Sequence, residues 1–145
     1  MRSASVFDTL DVQRGSFMRE CVISMQNTLL SEAIARALSE TNEFRVEQVL
    51  PGKTGDILSL CHASQANILL MEVSRLNAYT LENRLRLIDR VRKAVPHCQF
   101  VLLCDENSDP DLAQSVKRAR QDRLIDAFLY ASVTPAYLTA ALDAL

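Results

Sequence analysis

The sequence predicts an open α/β fold in which one parallel sheet of five strands carries helices on both faces. Short apolar, often β-branched runs alternate along the chain with longer segments of helical periodicity, which is the pattern of such sheets. The chain has 145 residues, of which 48% are hydrophobic and 23% charged, so it can bury one sizeable core but not two.

The first three predicted elements are a strand, a helix and a second strand. CVISM (21–25) is an apolar run, and the next segment (27–40) places aliphatic residues at helical spacing behind a capping Asn27 or Thr28. FRVEQVL (44–50) alternates apolar and polar residues, which is typical of an edge strand, and the Pro-Gly pair after it ends the strand.

The middle of the chain holds the two strands that the pattern places deepest in the sheet. A short helix from Thr54 to Ser64 precedes NILLMEV (67–73), and an amphipathic helix over 81–95, closed by Pro96, precedes FVLLC (100–104). Both runs are continuously apolar, as parallel strands buried on two faces are.

The last third repeats the alternation once more. A helix over 111–124 has Pro110 in its first turn, IDAFLYA (125–131) is the fifth strand, and a final helix begins at a Thr134 cap. This helix reaches Leu145 without a closing signal, so we expect the domain to be truncated before a C-terminal output domain.

Two parts of the chain differ in pattern. Residues 1–18 are polar and aperiodic, and translation can also begin at Met18, so we expect a disordered leader or tag there. Residues 19–145 carry all five strands, and this number fits the flavodoxin-like order 2-1-3-4-5, with right-handed crossovers through the helices.

Charge and hydropathy exclude several classes of protein. The net charge of -2 provides no general attraction to nucleic-acid backbones. No apolar segment is long enough to span a bilayer and no signal peptide is recognisable, so we expect a cytoplasmic protein without membrane contact.

The sequence also lacks the residues of common catalytic and cofactor sites. The four cysteines form no C-x-x-C pair and have no histidine at zinc-ligand spacing, so we expect core packing and no metal. No glycine motif for a nucleotide or flavin follows the first strand, and neither histidine falls at a strand's carboxyl end. We therefore expect no cofactor and no enzyme activity.

Four phrases of the sequence resemble a known family. They are VISMQNTLLSEAIARAL, ANILLMEVS, QFVLLCDEN and IDAFLYASVTPAYLTAAL. In order and composition they resemble strand one with its helix, strand three, strand four, and strand five with its helix in the receiver domain of bacterial response regulators. That domain is the phospho-acceptor module of two-component signalling, and the SVTP turn is similar to that of regulators with a helix-turn-helix output domain.

The resemblance implies a phosphorylation site. Receivers have an acceptor Asp after strand three, an acidic pair for Mg²⁺ after strand one, a hydroxyl after strand four and a Lys after strand five, which together offset the charge of the transferred group. The matching positions are Glu72 for the acceptor, Met25 and Gln26 (or, with a shift of one, Gln26 and Asn27) for the pair, Cys104 for the hydroxyl and Ala131 for the lysine. We expect a degenerate member that is not phosphorylated.

Glu72 has two interpretations. Its carboxylate can supply a fixed negative charge near the place of an aspartyl phosphate and lock the domain in an active-like state, or it can be a solvated carboxylate at a strand end. The lysine and hydroxyl partners of such mimicry are absent, and Asp105 and Glu106 would repel the carboxylate, which favours the second interpretation.

The charged helices also have two interpretations. The third helix carries Arg84, Arg86, Arg90, Arg92 and Lys93, and the fourth is similarly basic, so both can be solvated faces paired with nearby carboxylates. Alternatively, helix four, strand five and helix five form the homodimer face that the resemblance implies. The residues expected there are Lys117, Arg120, Arg123, Asp126, Tyr130 and Tyr137, with Arg120 or Arg123 reaching Asp126 or Asp143 of a two-fold mate.

The sequence thus predicts a non-phosphorylatable, receiver-like regulatory and dimerisation domain of a transcriptional regulator. DNA would be contacted only through the expected C-terminal domain. The alternative is a stand-alone protein-docking adaptor without DNA-binding output.

Overall fold

A computed structural model describes residues 18–145 as a five-stranded sheet with five α-helices. The strands are β1 (Arg19–Ser24), β2 (Phe44–Val49), β3 (Ile68–Glu72), β4 (Gln99–Cys104) and β5 (Ala127–Tyr130). The helices are α1 (Thr28–Glu40), α2 (Ile57–Ser64), α3 (Leu81–Ala94), α4 (Pro110–Gln121) and α5 (Pro135–Asp143). All neighbouring strands are parallel, in the order β2-β1-β3-β4-β5, so the predicted fold class is confirmed.

The expected leader falls outside the described residues, apart from Met18. Within residues 18–145, no helix combines the length and the apolar character needed to cross a bilayer.

Two apolar cores hold the helices on opposite faces of the sheet. One core joins α2, α3 and α4 to strand residues such as Leu69 and Phe100, and the other joins α1 and α5 to residues such as Leu70 and Leu103. Successive residues of a strand point to opposite faces, which is why Leu69 and Leu70 belong to different cores. All four cysteines are buried and unpaired, which confirms their prediction as core residues.

Side-chain caps fix where the helices begin. Asn27 caps α1 by accepting a hydrogen bond from the Leu30 N–H, and Thr134 caps α5 in the same way, as predicted. The Thr80 and Asp109 side chains cap α3 and α4. These caps place the first turn of each helix beside the carboxyl end of the preceding strand.

Several element bounds differ from the prediction. The helix predicted from Thr54 becomes α-helical only at Ile57, after a 3₁₀ segment (Pro51–Asp56) whose two glycines disfavour an α-helix. The α4 helix ends at Gln121 rather than 124, because Arg123 adopts a left-handed conformation with φ of 62°. β5 is shorter than the predicted 125–131.

Candidate functional site

The candidate site lies where the parallel strands end, at the sheet edge that carries ligands in folds of this class. Met25 and Gln26 follow β1, Glu72 ends β3, Cys104 ends β4 and Ala131 follows β5. The predicted pocket positions therefore all fall on one edge.

The Glu72 carboxylate is bound to the loop between β1 and α1. Its Oε1 accepts hydrogen bonds from the backbone N–H groups of Gln26, at 2.7 Å, and Asn27, at 3.1 Å. These amides lie at the start of α1, where the helix dipole favours negative charge. Glu72 is half-buried, and these two hydrogen bonds anchor its carboxylate to the chain at the solvent-accessible end of β3.

The other pocket positions do not converge on Glu72. Met25 is buried in the core beneath α1 and α5, whereas Cys104 is buried in the core on the opposite face. Ala131 packs against the α1–α5 core, and its N–H donates to the Cys104 carbonyl at 2.9 Å. Of these positions, Gln26 contacts Glu72, as does Asn27 in the shifted register, and both do so through their backbone N–H groups.

The Cys104 thiol is a poor substitute for a hydroxyl. Burial is the main cause that raises its pKa to about 11, and the negative charges of Glu106, Asp105 and Asp109 add to the effect. The thiol therefore stays protonated at neutral pH and provides no anionic ligand.

The sheet edge offers few free oxygen ligands for a divalent cation. Within residues 18–145, no group of three or more His, Cys, Asp or Glu residues could hold a metal ion. Glu72 Oε1 already accepts two hydrogen bonds, and the Asp105 carboxylate accepts bonds from Asn107 and Ser108. Mg²⁺ needs several oxygen ligands in octahedral geometry, and the described side chains at this edge do not place several free oxygen ligands together.

A buried arginine supports the edge from below. Arg84 is 1% exposed, and its guanidinium donates from Nε to the Glu72 carbonyl at 3.0 Å, from Nη1 to Ser24 Oγ at 3.1 Å and from Nη2 to the Ser24 carbonyl at 3.0 Å. It also lies over the Tyr79 ring, 4.8 Å from the centroid. Burial lowers the pKa of Arg84 to about 10, so the group remains charged at neutral pH. Arg84 thereby fastens α3 to the ends of β1 and β3.

The sequence-based placement of Arg84 on a solvated helix face is wrong. Arg86 does follow that prediction, with a loose ion pair to Glu82, whereas Arg92 also donates to the Leu124 carbonyl at 3.3 Å and lies over the Phe100 ring. The signal for Arg84 was present in the spacing, because it precedes Ile88 by four residues and Val91 by seven. It therefore falls on the buried stripe of α3.

Two further contacts join the loops at this edge, and sequence reasoning missed both. Arg75 binds the Asp109 carboxylate through Nε at 2.6 Å and Nη2 at 3.0 Å, which holds the pKa of Asp109 down at about 2. The Ser132 hydroxyl donates to Glu106 Oε2 at 2.5 Å. The first contact joins the β3–α3 loop to α4, and the second joins the loops that follow β4 and β5.

The predicted dimer face is spread over α4, β5 and α5. Its three cations are exposed, and so is Tyr137, with 61% of its surface accessible. Tyr130 is half-buried and packs edge-to-face on Phe128, with ring centroids 5.6 Å apart.

The carboxylates expected to meet these cations on a two-fold mate are engaged within the chain. Asp126 Oδ2 accepts a hydrogen bond from the Phe100 N–H at 2.7 Å, and Asp143 forms an ion pair with Arg19 at 2.5 Å. Any dimer through this face must use other acceptors or break these contacts.

Comparison with solved structures shows the fold of response-regulator receiver domains. A CheY-like receiver domain protein from Methanospirillum hungatei JF-1 is 17% identical with a TM-score of 0.67, and the match covers 88% of this chain and 92% of that one. A CheY-like protein (tadZ) from Pseudomonas aeruginosa PAO1 is 17% identical with a TM-score of 0.65, over 87% of this chain and 98% of that one.

A third similar structure contains DNA. The response regulator RcsB in its complex with DNA is 20% identical with a TM-score of 0.65, and the match covers 88% of this chain but 59% of that one. No protein-family model and no curated protein matches this chain. The comparisons confirm the fold that the resemblance implied.

Proposed function

We propose that residues 19–145 form a regulatory domain of receiver fold that signals without phosphoryl transfer. The observation that carries this proposal is the bonding of Glu72, whose Oε1 is already held by two backbone N–H groups at the acceptor position. The matching positions around it hold a thioether, an amide, a thiol and a methyl group. None of them supplies the carboxylates for Mg²⁺ or the ammonium that would offset a transferred phosphoryl group's charge.

The proposed setting is a transcriptional regulator in which another segment contacts DNA. The similarity to the RcsB chain supports this setting, because this chain spans 59% of it and leaves room for a further domain there. A stand-alone docking adaptor is the second candidate, and the CheY-like tadZ chain, 98% of which is spanned, favours it. A reading frame that continues into a helix-turn-helix domain supports the first candidate, and a stop codon after Leu145 supports the second.

Ligand titration tests the loss of the phosphorylation pocket. We expect Mg²⁺ with beryllofluoride, an acyl-phosphate mimic, to cause no saturable amide shifts at Glu72, Cys104 or Ala131 in an NMR titration. Saturable shifts at these residues would contradict the proposal, because they require a working cation and anion site.

The Glu72→Asp variant tests whether an aspartate at position 72 can be phosphorylated. It restores the acceptor but neither the Mg²⁺ ligands nor the lysine, so acetyl phosphate should leave its intact mass unchanged. A mass increase of one phosphoryl group in Glu72→Asp, absent in Glu72→Gln, would show that the remaining residues suffice for phosphorylation.

The proposal includes a homodimer through α4, β5 and α5. The exposed cations and the exposed Tyr137 ring support this face, since surface tyrosine and arginine are enriched at interfaces. Asp126 and Asp143 are engaged, whereas Asp122 at the end of α4 is exposed and can accept a partner's cation.

Charge reversal on α4 tests this dimer. We expect Lys117→Glu with Arg120→Glu to weaken dimerisation by about tenfold in sedimentation equilibrium, because like charges would meet across the interface. Arg45→Glu on the distant β2 edge is the control for general charge effects. A dimer that both variants leave equally stable would place the interface elsewhere.

A further inference from the structure

The charges of the chain are divided between the two helical layers. Helices α3 and α4 together hold eight Lys or Arg residues and three Asp or Glu residues, whereas α1 and α5 hold one and three. The two helix pairs pack on opposite faces of the sheet. The net charge of -2 therefore conceals one basic face and one acidic face.

The most regular part of the basic face is a row on α3, formed by Arg86, Arg90 and Lys93. These residues are exposed, and their spacing of four and three residues aligns them along about 10 Å of the helix. Arg86 reaches Glu82 only at 3.8 Å. Within residues 18–145, Arg90 and Lys93 form no ion pair, so they are free to meet an anionic partner.

The acidic counterpart is a groove between α1 and α5, which we define by Glu32, Glu40 and Glu43. The groove consists of two adjoining hollows that share Glu40, of which one is lined by Glu32 and the other by Glu43, and alanines of α1 and α5 form its floor. Arg36 is the cation that also lines it. Glu32 and Glu40 are about 12 Å apart along the helix, close to the length of the basic row. The small floor residues leave room for a helix ridge to approach.

One molecule cannot pair these two surfaces, because they lie on opposite faces of its own sheet. A two-fold contact of α3 with α3, or of groove with groove, would set like charges against each other. We propose that the basic row of one copy binds the acidic groove of a second copy, so that the copies associate head to tail. This contact goes beyond the proposed two-fold dimer and uses neither Lys117 nor Arg120.

The test uses two neutralised variants of the full chain. The row variant carries Arg90→Gln and Lys93→Gln, and the groove variant carries Glu32→Gln and Glu40→Gln. Both are made in the Lys117→Glu, Arg120→Glu background, so that the two-fold dimer does not obscure the result. A control in the same background, Arg45→Gln with Lys53→Gln, removes two exposed cations outside the row.

Sedimentation velocity at low salt should separate the outcomes. We expect the background protein and the control to form chains of several copies that shorten as salt is added, because screening weakens exposed charges. Each neutralised variant alone should dissociate at concentrations about tenfold higher than the control. Their equimolar mixture should form one-to-one dimers and nothing longer, since it holds one intact row and one intact groove.

Three results would overturn the proposal. They are association of the row variant equal to that of the control, monomers in the mixture, and a background protein that is monomeric at every concentration. Binding of the background protein to a DNA duplex, lost in the row variant without any change in self-association, would assign the row to nucleic acid instead. Failure of Lys117→Glu with Arg120→Glu to affect a two-fold dimer would count only against that dimer.

Discussion

Arg84→Ala is expected to lower the free energy of unfolding by about 3 kcal/mol, the largest effect of a single substitution at this sheet edge. The variant removes three hydrogen bonds and leaves the Ser24 and Glu72 carbonyl oxygens buried without these partners. It also opens a cavity beneath the edge, because the whole arginine side chain is buried. Urea unfolding followed by far-UV circular dichroism measures the loss.

Two variants of the same helix make this result specific. Arg86→Ala removes an exposed arginine and should change stability by no more than about 0.5 kcal/mol. Arg84→Lys keeps a positive charge but has one nitrogen in place of the planar guanidinium, so it cannot donate to the acceptors of both strands. Its loss of stability should therefore lie between those of Arg84→Ala and Arg86→Ala. Equal urea midpoints for Arg84→Ala and Arg86→Ala would show that the guanidinium contributes no net stability.

The strands could be predicted because they depend on local patterns, and their order followed from their number and their alternation with helices. The apolar runs at 68–71 and 100–104 identify the central strands β3 and β4, and the alternation of apolar and polar residues identifies β2 as an edge strand. The caps at Asn27 and Thr134 follow from residue type alone. Each of these signals lies within a few residues of the feature that it predicts.

The contacts of the candidate site could not be predicted in this way. Ser24 meets Arg84 across 60 residues, and Gln26 meets Glu72 across 46, so no periodicity links them. The spacing of α3 allows either Arg84 or Leu85 on the stripe with Ile88, since each precedes Ile88 by about one turn, and the structure buries Arg84. Arg84 can be buried there because its guanidinium donates hydrogen bonds to acceptors at the ends of β1 and β3, which would otherwise be unpaired. The sequence does not reveal that these two strand ends lie beside α3.

Arg84 and Glu72 act on the same part of the edge from two sides. The guanidinium holds the Glu72 backbone carbonyl, while the Glu72 carboxylate holds the start of α1 through two amides. The ends of β1 and β3 and the start of α1 are thus tied together by residues of the chain itself. These contacts support the proposal of a domain that signals without phosphoryl transfer.

Glu72→Ala is therefore expected to lower the free energy of unfolding by about 2 kcal/mol and to release the β1–α1 loop. Two hydrogen bonds to a charged acceptor are lost, together with a favourable charge near the start of a helix, and the half exposure of the side chain moderates the cost. Urea unfolding measures the stability, and amide hydrogen exchange reports the loop. The amides of Gln26 and Asn27 should exchange faster, while those of β3 should not.

Glu72→Gln separates the charge from the hydrogen bonds. Its carbonyl oxygen can still accept from both amides, and neutral bonds are about half as strong as charged ones, so we expect a loss of about 1 kcal/mol and partial amide protection. Glu82→Ala removes a carboxylate that is 85% exposed and should change neither quantity. If Glu72→Ala matched Glu82→Ala in stability and exchange, the carboxylate would not anchor the β1–α1 loop.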